Sequence, residues 1–241
     1  MTSEPLLAPP PPSRPPTART VVLVDDEALV RASFRAFLGR QERYLLVGEA
    51  TNGREGVSTY RRLLPDVVLM DLRMPVMDGI SATSRITAEH PDAVVVGLTT
   101  FGAREFVVPM LQAGAAGYLL KHAGGRAVIA AMDQALDGDM PLSPEVRREL
   151  VHALSQSAAP QAGPAASALS VTPREQALLG WLAHGMSNAE IGARMYLSEG
   201  SVKQYLANVG EKLQVRSRTQ ILVRAIQLGL IDPHRLPALD E

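Results

Sequence analysis

Two rhythms of apolar and polar positions share the chain. Short apolar runs, TVVLVDD (20–26), YLLVGEA (44–50), DVVLMD (66–71), AVVVGLTT (93–100) and GYLLK (117–121), have the length and β-branched content of buried strands. Between them apolar residues recur at helical spacing, from about Ala28 to Leu38, Gly53 to Leu63, Gly79 to Glu89, within GAREFVVPMLQAGA (102–115), and from about Gly125 to Leu136. Five strands alternating with five helices predict an α/β domain whose parallel sheet is covered on both faces. Pro109 falls inside the fourth of those helices, so that helix is expected to be kinked, shortened or started late.

From Val171 the pattern is helical only. TPREQALLGWLAHG begins with Thr172 as N-cap, Pro173 in the first helical position and Glu175 in the third. SNAEIGARMYL gives a short helix, SEG a turn and cap, and SVKQYLANVGEKL a third helix. SRTQILVRAIQLGL is a fourth, with Ile221, Leu222, Ala225, Ile226 and Leu228 as an apolar seam available for dimerisation. A short helix, a tight turn and a second helix carrying Lys, Gln, Tyr and Asn form a helix-turn-helix pattern. Gly210 is expected to weaken the end of its helix by roughly 1 kcal/mol relative to alanine.

Two stretches lack either rhythm. PLLAPPPPSRPP (5–16) holds seven prolines and reads as a solvated leader, residues 1–19. SQSAAPQAGPAASALS (155–170) is built from small residues with Pro160, Gly163 and Pro164, and places a linker at 151–167. The division expected is therefore leader, α/β domain at 20–150, linker, helical domain at 168–235 and a tail at 236–241.

Composition narrows the chemistry. The 241 residues include no cysteine, which excludes disulfides and thiolate chemistry, and the five histidines are scattered, which disfavours a His-based zinc site. No apolar run has the length of a membrane span and no signal-peptide pattern opens the chain, so cytoplasmic residence is expected. Residues 20–150 carry 14 basic against 17 acidic residues, and residues 168–235 carry 8 against 5. That asymmetry suits an acidic domain followed by one compatible with nucleic acid.

The α/β half concentrates charge at strand ends. Ligands of such sheets bind beyond the carboxyl ends of the strands. Asp25 and Asp26 end the first strand and Asp71 the third, so neighbouring strands would bring three carboxylates to one mouth. Like charges that close resist ionising together unless a cation intervenes, and a hard oxygen-seeking ion, Mg²⁺, suits a site that also meets phosphate. Thr99 and Lys121 end the fourth and fifth strands at the same edge. Acids, a divalent ion, a hydroxyl and an ammonium describe phosphoryl-transfer chemistry with Asp71 as nucleophile.

VDD, DLRMPVMDG, LTT and GYLLK, in that order, resemble the receiver domain of bacterial two-component response regulators across about Thr20 to Asp137. TPRE, MSNAEIGARMYLSEGSVK and VRSRTQ resemble the LuxR/NarL-type DNA-binding domain across about Ala168 to Ile231. The resemblance implies a flavodoxin-like five-stranded receiver, a flexible linker and an all-α four-helix LuxR-type helix-turn-helix domain. It implies that Asp71 accepts a phosphoryl group from a sensor histidine kinase. Asp26 would bind Mg²⁺ directly and Asp25 through water, with Asp71 and the Arg73 backbone carbonyl completing the set. Lys121 would pair with phosphoryl oxygens, Thr99 would swing to the new phosphate, and Tyr118 would follow inward. In the output domain Lys203 would meet a phosphate or a guanine edge, Gln204, Tyr205 and Asn208 the groove, and Ser198 or Ser201 the DNA backbone.

Three positions depart from the family pattern: Val76 and Tyr205 stand where glycine and histidine are common, and Gly210 where an apolar residue is usual. The reading is a NarL/FixJ-type transcriptional regulator of double-stranded DNA, a homodimer when phosphorylated, with no membrane role. It would be no enzyme beyond its own phosphotransfer and dephosphorylation. The alternatives are a DNA-binding regulator whose receiver answers to a ligand or protein partner instead of phosphate, and an aspartyl-nucleophile phosphatase. The latter is disfavoured because Arg73 occupies the place of its second acid.

Overall fold

The computed structural model describes residues 18–99, 106–142, 146, 150 and 171–231. The leader before Ala18, the segment 100–105 with Phe101, the linker and the tail lie outside the described residues. The first domain runs β1 (Arg19–Val24), α1 (Ala28–Leu38), β2 (Tyr44–Ala50), α2 (Gly53–Leu63), β3 (Val67–Asp71), α3 (Gly79–Glu89), β4 (Val95–Thr99), α4 (Val107–Gln112), β5 (Gly117–Leu120) and α5 (Gly125–Leu136). All strand pairings are parallel and their order is β2-β1-β3-β4-β5. Ala18 is buried and Arg19 opens β1, so two residues the sequence reading gave to the leader belong to this domain.

Strand alternation divides the core between the two faces of the sheet. Val21, Leu23, Val67, Leu69, Val96 and Leu98 pack with Phe34, Leu38, Val128 and Met132 of α1 and α5. Val22, Val24, Val68, Met70 and Val95 pack with Val57, Tyr60, Ile86 and Met110 of α2, α3 and α4. Every residue of β3, Asp71 included, is buried, as a central parallel strand requires.

Described α4 is six residues long, and Pro109 is its third. There it costs no hydrogen bond, because the first four helix N–H groups have no partner within the helix. The expectation of a shortened helix and the observed one therefore agree.

The second domain comprises α6 (Pro173–Ala183), α7 (Asn188–Met195), α8 (Glu199–Leu213) and α9 (Arg218–Gln227). Thr172–Glu175, Ser187–Glu190 and Ser217–Gln220 each close a reciprocal capping box, and Ser198 caps α8. Such caps are each worth about 1 kcal/mol. In the described arrangement Ile221, Leu222, Ala225 and Ile226 are buried, with α4 of the first domain packed on α9 beside α6 and α8. One expectation fails here. Gly210 does not fray its helix: its carbonyl accepts from Val215 N–H at 2.9 Å, and a Cβ there would sit 2.7 Å from the Val215 carbonyl oxygen. The missing side chain lets the chain turn back over the helix end.

The two domains touch. The α4-side core of the first is continuous with the core of the second. Thr219 Oγ1, wholly buried, donates to the Ala115 carbonyl at 2.5 Å, and Gln220 Nε2 to the Gln112 carbonyl at 2.9 Å. Asp139, just past α5, accepts from Asn188 N–H at the start of α7 at 2.9 Å and lies 3.6 Å from the Arg218 guanidinium.

Candidate functional site

β1 and β3 are neighbours, with Val24 paired to Met70, so the acids that follow them meet. Asp25, Asp26 and Asp71 each place a carboxylate oxygen within 4.8 Å of the others. Asp25 and Asp71 are buried and Asp26 is exposed, so the cluster opens to solvent on one side. The donor set, all carboxylate oxygen with an open side, suits a small hard cation such as Mg²⁺. Asp26 and Arg73 also share the wall of a cavity of about 450 Å³ with Met74, Pro75, Asp78, Ile80 and Phe106.

Lys121 ties the acids together. Its Nζ lies 2.8 Å from Asp25 Oδ2, 3.1 Å from Asp71 Oδ2 and 3.1 Å from Glu27 Oε1. Its side chain is 4% exposed, a burial that an ammonium tolerates only with such partners. Those partners hold the proton, so the Lys121 pKa is raised even though burial by itself would lower it. Backbone N–H groups orient the remaining oxygens: Leu72 N–H donates to Asp71 Oδ1 at 2.8 Å and Glu27 N–H to Asp25 Oδ1 at 2.9 Å. Burial pushes the Asp71 carboxyl up to about 6, opposed by Lys121 and reinforced by the Asp25 charge. Glu27 was missed by sequence reasoning. The acidic run DDE was its only signal, and a third acid there reads equally well as helix-start electrostatics.

The loop after Asp71 is drawn tight. Gly79 N–H donates to the Leu72 carbonyl at 2.9 Å, and a Cβ on Gly79 would fall 1.9 Å from the Asp71 carbonyl oxygen. Val76 is 72% exposed at φ +69° and is spanned by a Met77 N–H to Pro75 carbonyl bond of 2.7 Å, a strained three-residue turn for a β-branched side chain.

Thr99 is buried at the end of β4, and its carbonyl accepts from Lys121 N–H at 2.6 Å. Tyr118 is 1% exposed and hydrogen-bonded to Thr99, with burial raising its phenol to about 12. The tyrosine ring lies inside, beside Met110 of α4.

In the helical domain α7, its turn and α8 form the helix-turn-helix unit. Lys203, Gln204, Ala207 and Asn208 are exposed on α8, and Gln204 Nε2 donates to Asn208 Oδ1 at 3.0 Å. Ser198 Oγ accepts from Ser201 N–H at 3.1 Å, which makes Ser198 a helix cap first. Tyr205 is half-buried against the core beneath the Arg174 guanidinium, 5.5 Å from the ring centroid. Lys203 and Ala207 line a cleft of about 350 Å³ shared with Leu136, Asp137 and Asp139 of the first domain.

Fold and site together define a receiver-type α/β switch domain joined to a helix-turn-helix output domain. Residues 21–133 match the response regulator receiver domain, and residues 169–225 match the bacterial regulatory proteins of the luxR family. The chain is 37% identical over 215 residues to the transcriptional regulatory protein LiaR of Bacillus subtilis, covering 88% of this chain and 99% of that one. It is 32% identical over 219 residues to LnrK of the same organism, covering 87% and 97%. Among solved structures, a LuxR-family two-component response regulator from Aurantimonas sp. SI85-9A1 matches with 30% identity and a TM-score of 0.52, over 56% of this chain and 97% of that one. The chain belongs to the NarL/LuxR family of response regulators, transcriptional regulators with a receiver and a LuxR-type DNA-binding domain. No helix among the described residues is long and apolar enough to cross a membrane.

Proposed function

We propose that Asp71 is the phosphoacceptor of this regulator, that Mg²⁺ is its cofactor, and that phosphorylation frees the DNA-binding domain from the receiver. The observation that carries the reading is the buried Lys121 ammonium held between Asp25 and Asp71 at 2.8 and 3.1 Å. An ammonium so placed neutralises phosphoryl oxygens without moving far. A bound Mg²⁺ would be held by Asp25, Asp26, Asp71 and the Arg73 carbonyl, and would supply charge neutralisation to the transferring group. An Asp71 oxygen attacks phosphorus, the bond from phosphorus to the kinase histidine nitrogen breaks, and that nitrogen keeps the electron pair. The product is an acyl phosphate on Asp71, whose oxygens Lys121 and Thr99 are placed to meet. Its later hydrolysis is the chain's own second reaction.

The described arrangement is the resting one in this reading. Asp137 and Asp139 line the same interdomain cleft as Lys203, so the first domain stands against the flank of α8 that would meet DNA phosphate. The stretch from α4 through β5, which carries Gln112, Ala115 and Tyr118, links the acid pocket to the contact. A phosphate that recruits Thr99 disturbs the Thr99–Tyr118 pair beneath α4 and biases the contact toward release. Two released chains would then dimerise on double-stranded DNA. Cytoplasmic residence beside a sensor histidine kinase belongs to the same reading.

Incubation with acetyl phosphate and Mg²⁺, followed by intact mass, tests it. One phosphoryl adduct is expected on the wild-type chain and none on Asp71→Asn. A wild-type chain that takes no adduct would point to control by a ligand or protein partner.

A further inference from the structure

We infer that Arg174, at the start of α6, is a DNA phosphate contact, and that Tyr205 is the residue that positions it. The inference rests on the DNA-binding reading of α8. On a helix of 3.6 residues per turn, Lys203 and Tyr205 lie about 200° apart measured across the solvent-facing side. Between them run Ala207, Gln204, Asn208 and Ser201, the arc that is open or half-open to solvent. Lys203 therefore marks one edge of the reading face and Tyr205 the other. A helix lying in a major groove about 12 Å wide has a phosphate strand on each side. Lys203 shares its edge with Arg216, which lines the same cleft.

The opposite edge needs a cation from elsewhere. Lys212, which α8 carries on that side, is committed to the buried Glu175 carboxylate at 2.7 and 2.8 Å. Arg174 supplies the charge: it is exposed, its guanidinium lies 5.5 Å from the Tyr205 ring centroid, and no carboxylate among the described residues pairs with it. A guanidinium over an aromatic face keeps its edge donors free while its plane is held, which is how arginine is prepared for an anion. Tyr205 is half-buried, with its ring packed on the core, so it serves as a platform and does not itself read a base.

The test is the salt dependence of binding by the full chain, untreated and treated with acetyl phosphate, to a labelled mixed-sequence duplex of about 30 base pairs, read by anisotropy. Each phosphate contact contributes a slope of about 0.9 in log affinity against log salt. Arg174→Gln is expected to lower the slope by about that amount, so its deficit shrinks roughly 3- to 4-fold over a fourfold rise in salt. Tyr205→Phe should keep the wild-type slope, and Tyr205→Leu should lose part of it. Arg62→Gln, the same charge change on exposed α2, should leave it unaltered. An Arg174→Gln chain with wild-type melting and wild-type slope would overturn the inference, whatever its affinity. A slope fall equal to that of Arg62→Gln would overturn it too, as a net-charge effect. A wild-type chain that binds no duplex in either form would instead overturn the DNA-binding reading, and the inference with it.

Discussion

Replacing Asp139 by alanine should open the resting molecule without phosphate. Its Oδ1 takes a hydrogen bond from Asn188 N–H at 2.9 Å and stands 3.6 Å from Arg218, whose side chain is 7% exposed. Hydrogen bonds to a charged acceptor are worth about 1.5–3 kcal/mol net. Arg218 keeps Asn188 Oδ1, at 2.5 Å, and the Met186 carbonyl as partners within its own domain, so its burial does not depend on Asp139 alone. The loss therefore falls on the closed form, and 1.5–3 kcal/mol corresponds to a shift of roughly 10- to 150-fold toward the open one. The assay is duplex binding by the unphosphorylated chain, with exposed Asp92→Ala as a charge-matched control. Asp139→Ala should bind at least about tenfold tighter than wild type, and the two should converge once phosphorylated. Equal affinity of the unphosphorylated forms would refute the reasoning. So would a gain of the same size in the phosphorylated forms, because that would place the effect at the DNA and not at the latch.

Four further outcomes follow from the site. Because burial raises Asp71 from 3.8 to about 6, a cation entering below that pH must displace a proton. Mg²⁺ affinity, measured by calorimetry, should climb about tenfold per pH unit up to about 6 and then level. For the same reason the metal-free chain should lose stability between about pH 4 and 6, where the unfolded carboxyl is ionised and the folded one resists ionising; Asp71→Asn should abolish that loss. Val76→Gly should raise stability by roughly 0.5–1 kcal/mol in urea unfolding, since relief of positive φ outweighs the entropy that glycine adds to the unfolded chain. Gly79→Ala should cost on the order of 3 kcal/mol and slow acetyl phosphate labelling, because a methyl 1.9 Å from the Asp71 carbonyl oxygen must push the strand end aside.

Asp71, Lys121 and the Thr172–Glu175 capping box were legible in the linear chain because each depends on neighbours a few residues away or on a motif of several parts. A strand that ends in aspartate and a Thr-Pro-Arg-Glu helix start carry their physics locally. The strand order, and with it the convergence of Asp25, Asp26 and Asp71, was expected from family resemblance and is visible in the paired register of β1 and β3.

What tertiary structure alone decided is what each side chain faces. The apolar period of α9 shows that one stripe must be covered. What covers it depends on where α4, α6 and α8 stand, and in the described arrangement they cover it. Gly210 looks like a weak point by propensity and is instead the space another carbonyl occupies. What Tyr118 and Tyr205 face is likewise a tertiary matter: one is hydrogen-bonded to Thr99 and the other lies beneath Arg174. Periodicity and spacing report what a residue needs from its surroundings, whereas distant segments, brought together by burial of the whole core, determine which group meets that need.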